Sequence, residues 1–73
     1  MADYAEHSIQ DLISGISQTE AALRRLREFV ETTTKIPTIA HGLQKLIEAT
    51  DLHIADLEAD LDELKSTLEA KLS

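Results

Sequence analysis

Residues 32–37 read Thr-Thr-Thr-Lys-Ile-Pro, and this stretch interrupts a chain that otherwise has a helical pattern. Three consecutive β-branched threonines are poor helix formers, and proline is tolerated in the first turn of a helix but not in its interior. The sequence therefore predicts a first helix over about 3–32, a turn over 33–36 and a second helix over about 37–72. Because the connection is short, we expect two antiparallel helices in one domain spanning residues 1–73.

Apolar residues recur at intervals of three and four on both sides of the break, a pattern typical of a coiled coil. The first helix keeps an unbroken heptad with Thr19 as its one polar member. The second has two successive steps of four around Thr50, a stutter that straightens a coiled coil. The residues expected in the seam between the helices are Ile9, Leu12, Ile16, Leu23, Leu26, Val30, Ile39, Leu43, Leu46, Ile54, Leu57 and Leu61.

Folding the chain at the break pairs these residues layer by layer. Leu23 is expected opposite Leu46, and Thr19 opposite Thr50, so that the two polar members share one layer. A polar layer inside a coiled coil fixes register or oligomeric state at some cost in stability. The predicted fold class is all-α, an antiparallel two-helix hairpin of the coiled-coil type.

The composition narrows the classes of function. The chain has 73 residues, a net charge of −7, no cysteine, and only Tyr4 and Phe29 as aromatic residues. The charge argues against nonspecific binding to nucleic acid or to an anionic membrane surface. No apolar stretch is long enough for a transmembrane helix or a signal-peptide core. Because a chain without cysteine fits a reducing compartment, we expect a cytoplasmic protein.

The sequence carries no motif for catalysis or for binding a cofactor or metal. Asp56, Glu58 and Asp60 alternate like the start of an EF-hand loop, but that loop needs glycine where this chain has Leu61. No two histidines have the spacing of zinc ligands on a helix. We therefore expect no enzyme, no cofactor and no small-molecule substrate.

A two-helix hairpin of this size rarely has enough buried apolar surface to be stable alone. We therefore expect a homodimer that forms a four-helix bundle, or a helical protein partner. The interface is expected to contain two kinds of apolar residue: those beside the seam, and those where the second helix is predicted to extend beyond the first. These residues are Ile13, Phe29, Ile36, Ile47, Leu64, Leu68 and Leu72. Basic residues near the turn and acidic residues at the open end favour a head-to-tail arrangement. The alternative is that the acidic end stays free, where it keeps the protein soluble or meets a basic partner.

These features predict a noncatalytic protein–protein interaction module that acts as an adaptor or assembly subunit. One alternative is an obligate co-subunit of a larger partner, such as a secretion co-chaperone or a virion component. Another follows from the basic cluster Arg24, Arg25 and Arg27. In size and architecture alone the chain is similar to the Rop-type hairpins, which dimerise into four-helix bundles that grip RNA, and this likeness implies a less favoured role as an RNA-binding regulator.

Overall fold

A computed structural model describes residues 4–73. Within this range the chain forms a short 3₁₀ turn over Tyr4–Glu6, helix α1 over Ile9–Thr34 and helix α2 over His41–Leu72, with no strand. The two helices pack against each other as an antiparallel hairpin with extents of 50 × 20 × 14 Å. Neither helix in the described part of the chain is long and apolar enough to cross a membrane.

Helix α1 begins later than predicted, at Ile9 rather than near residue 3. Ser8 has an extended backbone, and its hydroxyl accepts a hydrogen bond from the backbone N–H of Asp11 at 3.1 Å. This contact satisfies one of the N–H groups that lack a partner at a helix start. The carboxylate of Asp11 in the first turn also interacts favourably with the helix dipole. Ser8 therefore starts the helix.

The predicted turn is displaced, because α1 continues through all three threonines to Thr34 and α2 begins at His41 rather than at Pro37. The hydroxyl of Thr34 donates to the carbonyl oxygen of Glu31 at 3.0 Å, so this threonine is accommodated in the last turn. A proline disfavours the helical conformation of the residue before it, and here that residue is Ile36. Pro37 thus lies in a six-residue connection, residues 35–40, and not in the first turn of α2.

Helix α2 starts without a side-chain cap. Ala40 occupies the cap position with φ −61° and ψ 144°, and its methyl group cannot accept a hydrogen bond. We expect Ala40→Ser to raise the free energy of unfolding by about 1 kcal/mol, since serine can bond the free N–H groups of the first turn. Urea denaturation measures this change. The matched control Ala55→Ser, at an exposed position inside α2, should lower stability by about 0.5 kcal/mol. Equal effects of the two substitutions would show that the cap is not the cause.

The seam differs from the prediction at two positions of the second half: Ile39 lies in the connection before α2, and another residue takes the place of Leu46. Ile47 is 8% exposed and Leu46 is 51% exposed, so Ile47 replaces Leu46 in the core. With this exchange the steps from Leu43 to Leu68 alternate strictly between four and three, and the predicted stutter around Thr50 is absent from this part of the structure. The a and d positions that line the seam are Ile9, Leu12, Ile16, Thr19, Leu23, Leu26, Val30 and Thr33 in α1, and Leu43, Ile47, Thr50, Ile54, Leu57, Leu61, Leu64 and Leu68 in α2.

The predicted register is wrong by several turns. Leu23 lies beside Leu61, where both line one groove, and not opposite Leu46. Leu46 is fifteen residues from Leu61, or about 22 Å along the helix. Two ion pairs connect the helices in the observed register, Arg27 Nη2 to Glu58 Oε2 at 2.8 Å and Lys65 Nζ to Glu20 Oε2 at 3.5 Å. All four side chains occupy e positions, which flank an antiparallel seam.

The two threonines of the predicted polar layer lie in different parts of the hairpin. Thr19 lines a groove with Leu64 near the open end, whereas Thr50 is buried nearer the turn. Each hydroxyl donates to a carbonyl oxygen one turn earlier in its own helix, Thr19 to Gly15 and Thr50 to Leu46, both at 2.7 Å. Because both hydroxyls are satisfied locally, neither threonine needs a polar partner across the seam.

Candidate functional site

The candidate functional surface consists of the two long edges of the hairpin. The e edge contains the residues at heptad position e, which are Ile13, Glu20 and Arg27 in α1 and Glu58, Lys65 and Leu72 in α2. The g edge contains the residues at heptad position g, which are Gly15, Ala22 and Phe29 in α1 and Leu46, His53 and Asp60 in α2. The two edges lie on opposite sides of the seam.

The middle of the e edge is polar and its open end is apolar. The two interhelical ion pairs occupy the middle, and the side chains of the stronger one, Arg27 and Glu58, remain about half exposed, so we expect it to contribute less than about 1 kcal/mol. Ile13 is 50% exposed and Leu72 is 65% exposed. These two residues, with the partly exposed Ile9, leave an apolar patch at the open end of the hairpin.

The g edge contains an open groove near the first turns of α1. The groove has a volume of about 490 Å³ and is lined by Tyr4, His7, Asp11, Leu12, Gly15, Thr19 and Leu64. Its floor is closed, because Leu12 is 1% exposed and Leu64 is 8% exposed. A Cβ atom at Gly15 would lie 3.9 Å from the methyl groups of Leu64, which is an ordinary van der Waals contact. The absent side chain at Gly15 therefore opens space to the outside of the hairpin and is not required by packing inside it.

The structure separates the predicted interface residues into three groups. Ile13, Ile36 and Leu72 are exposed, while Phe29 and Leu68 are half-buried. Ile47 and Leu64 were expected to contact a partner, but both are already buried within one chain. Ile47 fills an a position of the seam, and the register brings Leu64 against α1, so the predicted overhang does not free it. These two residues have little surface left to bury in an interface.

Charge is unevenly distributed along the hairpin. Residues 24–56, the half that contains the turn, carry five Lys and Arg and five Asp and Glu, and are neutral. Residues 4–23 and 57–73, at the open end, carry two Lys and eight Asp and Glu, a charge of −6. The turn was expected to be positive, but the observed register assigns Glu48, Asp51 and Asp56 to this half. Arg27 of the basic cluster is also paired within the chain, with Glu58.

Tyr4 is a groove residue that the sequence did not identify. The 3₁₀ turn packs against α2, and the Tyr4 ring lies 6.4 Å from the ring of His7. Loss of solvent around the phenol, and to a smaller extent the carboxylates of Asp60 and Glu63, raise the pKa of Tyr4 above 10.0. Asp60 is on the g edge, and Glu63 is next to Leu64 of the groove floor. In the sequence, Ser8 is the residue that indicates this arrangement. Because Ser8 caps the start of α1, the residues before it are not part of the helix and can fold back along the hairpin.

The raised pKa of Tyr4 predicts a loss of stability at alkaline pH. The phenol is protonated in both states below pH 10, but above it the unfolded chain loses its proton first, so stability falls as pH rises through the pKa of the folded state. As Tyr4 is the only tyrosine and tryptophan is absent, ultraviolet absorbance reports its titration directly. We expect a higher midpoint for the folded protein than for the same protein in urea. Identical midpoints would contradict the placement of Tyr4.

The described residues offer surfaces for contact and no cluster suited to metal chemistry. No group of three or more His, Cys, Asp or Glu side chains within residues 4–73 could hold a metal ion. No family model, curated protein or solved structure matches the chain. The function is therefore argued from the shape, burial and charge of the two edges.

Proposed function

We propose that the chain is a noncatalytic protein–protein interaction module that self-associates through its helix faces as an adaptor or assembly subunit. The observation that carries this proposal is the exposed area. A compact folded monomer of 8.1 kDa is expected to expose about 4,500 Å², whereas this elongated hairpin of 50 × 20 × 14 Å exposes 5368 Å². The excess, roughly 900 Å², is close to the area of about 800 Å² that each partner buries in a standard protein interface.

A homodimer arranged as a four-helix bundle would remove this excess. A head-to-tail orientation brings the acidic open half of one copy beside the neutral half of the other, which contains five of the seven basic residues. A parallel orientation would place two open halves, each with a charge of −6 in its described residues, side by side. Charge therefore favours the head-to-tail dimer, in which it selects orientation more than it adds affinity.

The lack of cysteine suits a reducing compartment such as the cytoplasm.

Sedimentation equilibrium tests the proposal directly. We expect a mass twice that of the 8.1 kDa chain at micromolar concentration, with dissociation on dilution accompanied by loss of helical circular dichroism. High salt should change the affinity modestly, because the main driving force is apolar burial. A stable, fully helical monomer at high concentration would overturn self-association.

The apolar patch on the e edge favours a second candidate, an obligate co-subunit of a larger helical protein. Ile9, Ile13 and Leu72 lie on the side opposite the g-edge groove, so a dimer formed through the g edge leaves them exposed. If they contact a larger partner, Ile13→Ser and Leu72→Ser should leave the homodimer mass unchanged and abolish retention of that partner from a cell extract. Loss of the homodimer in these variants would instead assign the patch to self-association.

A further inference from the structure

We propose that the homodimer forms through the g edge, with Phe29 of each copy in the groove beside Gly15 of the other. This inference rests on the proposed self-association. It specifies the surface through which the two copies meet, the position of the two-fold axis and the relative orientation of the copies. The occupant of the groove is a second copy of this chain.

The spacing along α1 supports a two-fold axis at Ala22. Gly15 lies seven residues before Ala22 and Phe29 lies seven residues after it, so all three share the g edge. A two-fold axis perpendicular to α1 at Ala22 therefore places the largest of these side chains opposite the smallest, twice. Such an interface is self-complementary and closes as a dimer.

The groove can accept an aromatic side chain. Its volume of about 490 Å³ falls in the range of pockets that hold drug-sized molecules, and its floor is formed by Leu12 and Leu64. Phe29 is half-buried against its own hairpin and keeps part of its ring available on the g edge. Small residues at Gly15 and Ala22 let the two α1 helices approach closely near the axis.

Charge fits the same orientation. Arg25 lies one turn before Phe29 on the same side of α1 and belongs to none of the ion pairs found in residues 4–73. Asp60 lies on the g edge of α2, and Glu63 immediately precedes Leu64, which lines the groove. When Phe29 enters the partner's groove, Arg25 accompanies it toward these carboxylates. A parallel dimer would bring the acidic borders of the two grooves together.

Gly15→Leu is the central test, read by sedimentation equilibrium and circular dichroism. The new side chain fills the groove from within and also favours the helix, so we expect the dimer dissociation constant to rise about 100-fold or more. At protein concentrations above this raised constant, the helical circular dichroism should match that of the wild type, because the hairpin itself is not weakened. The matched control is Gly42→Leu, since a Cβ atom there would meet nothing within 4 Å beyond the adjacent residues and the local helix backbone. Its dissociation constant should match the wild-type value. A dimer unaffected by Gly15→Leu would overturn the g-edge assignment.

Charge reversal tests the orientation. Arg25→Glu should raise the dissociation constant about tenfold, because the contact occurs twice in the dimer. Adding Glu63→Arg to that variant should restore most of the lost affinity. Failure of the second change to rescue the first would contradict the head-to-tail placement of Arg25.

Disulfide cross-linking tests the position of the two-fold axis without a measurement of affinity. The wild-type chain has no cysteine, so one introduced cysteine can only link to its copy in the partner. Ala22→Cys should form a disulfide-linked dimer under mild oxidation, whereas Leu52→Cys, at a 72% exposed position on the back of α2, should not. If the wild type is a dimer, and Leu52→Cys forms a disulfide-linked dimer while Ala22→Cys does not, this inference is overturned and self-association stands. A wild-type monomer would overturn both.

Discussion

Leu23→Ala is expected to lower the free energy of unfolding by about 3 kcal/mol. Leu23 is 2% exposed, so truncating it removes apolar contacts and leaves a cavity between the helices beside Leu61. This loss is a large part of the stability available to a chain of 73 residues. Urea denaturation followed by helical circular dichroism measures it. All variants should be compared at one protein concentration, because self-association adds to the apparent stability.

Leu46→Ala is the matched control for the register. Leu46 is 51% exposed, so we expect this substitution to cost less than about 1 kcal/mol. In the register predicted from the sequence the two leucines share a layer, and their truncation should then cost similar amounts. Because Leu46 lies on the g edge of the proposed dimer, sedimentation equilibrium should accompany the unfolding measurement. Similar losses for the two variants at an unchanged dimer dissociation constant would contradict the observed register and favour the predicted one.

Leu64→Ala is expected to destabilise the hairpin by a similar amount, about 3 kcal/mol. Leu64 is 8% exposed, lines the floor of the g-edge groove and lies against Gly15. Truncating it removes packing between α2 and the first turns of α1. Thermal and urea unfolding at a fixed concentration measure the change.

Leu72→Ala is the matched control for Leu64→Ala, because it truncates an exposed leucine of the same helix. Leu72 is 65% exposed, so its truncation should cost less than about 0.5 kcal/mol in the hairpin. If α2 overhung α1 as the sequence predicted, both leucines would be exposed and both substitutions would be mild. A small effect of Leu64→Ala would thus restore the predicted overhang.

The sequence predicts the all-α hairpin correctly because heptad spacing and the break near Pro37 are local signals. It does not predict the register, because a heptad seam still matches itself when one helix slides by about seven or eleven residues. The apolar residues alone therefore fit several alignments. Complementary charges at the e positions, Arg27 with Glu58 and Glu20 with Lys65, distinguish among them. These charges were not used in the sequence prediction.

The helix boundaries illustrate how context overrides propensity. Three threonines were expected to end α1, but the helix continues through them to Thr34, with Thr33 buried in the seam. Tertiary packing of one side chain outweighs a weak preference against helix. Pro37 was expected at the first position of α2, a favourable place for proline, but nothing in the sequence excluded its use in the connection.

The sequence predicts the exposure of some residues on the candidate surface and not of others. Exposure of Ile13, Ile36 and Leu72 could be anticipated from their positions beside the seam. The choice between Leu46 and Ile47 could not, because neighbouring leucine and isoleucine serve equally well until the register is known. The groove near Gly15 depends on the Ser8 cap and on the 3₁₀ turn, and these combine residues whose individual signals are weak.

The alignment of the two helices is set by their seam and flanking ion pairs, while five of the six residues that join them are exposed. Lengthening such a segment costs only about 0.6 kcal/mol for each doubling. The length of this segment is therefore only weakly constrained by the fold. A flexible insertion of several glycine and serine residues after Thr38 would leave the seam and both ion pairs in place, so the connection offers a permissive site for grafting a foreign sequence.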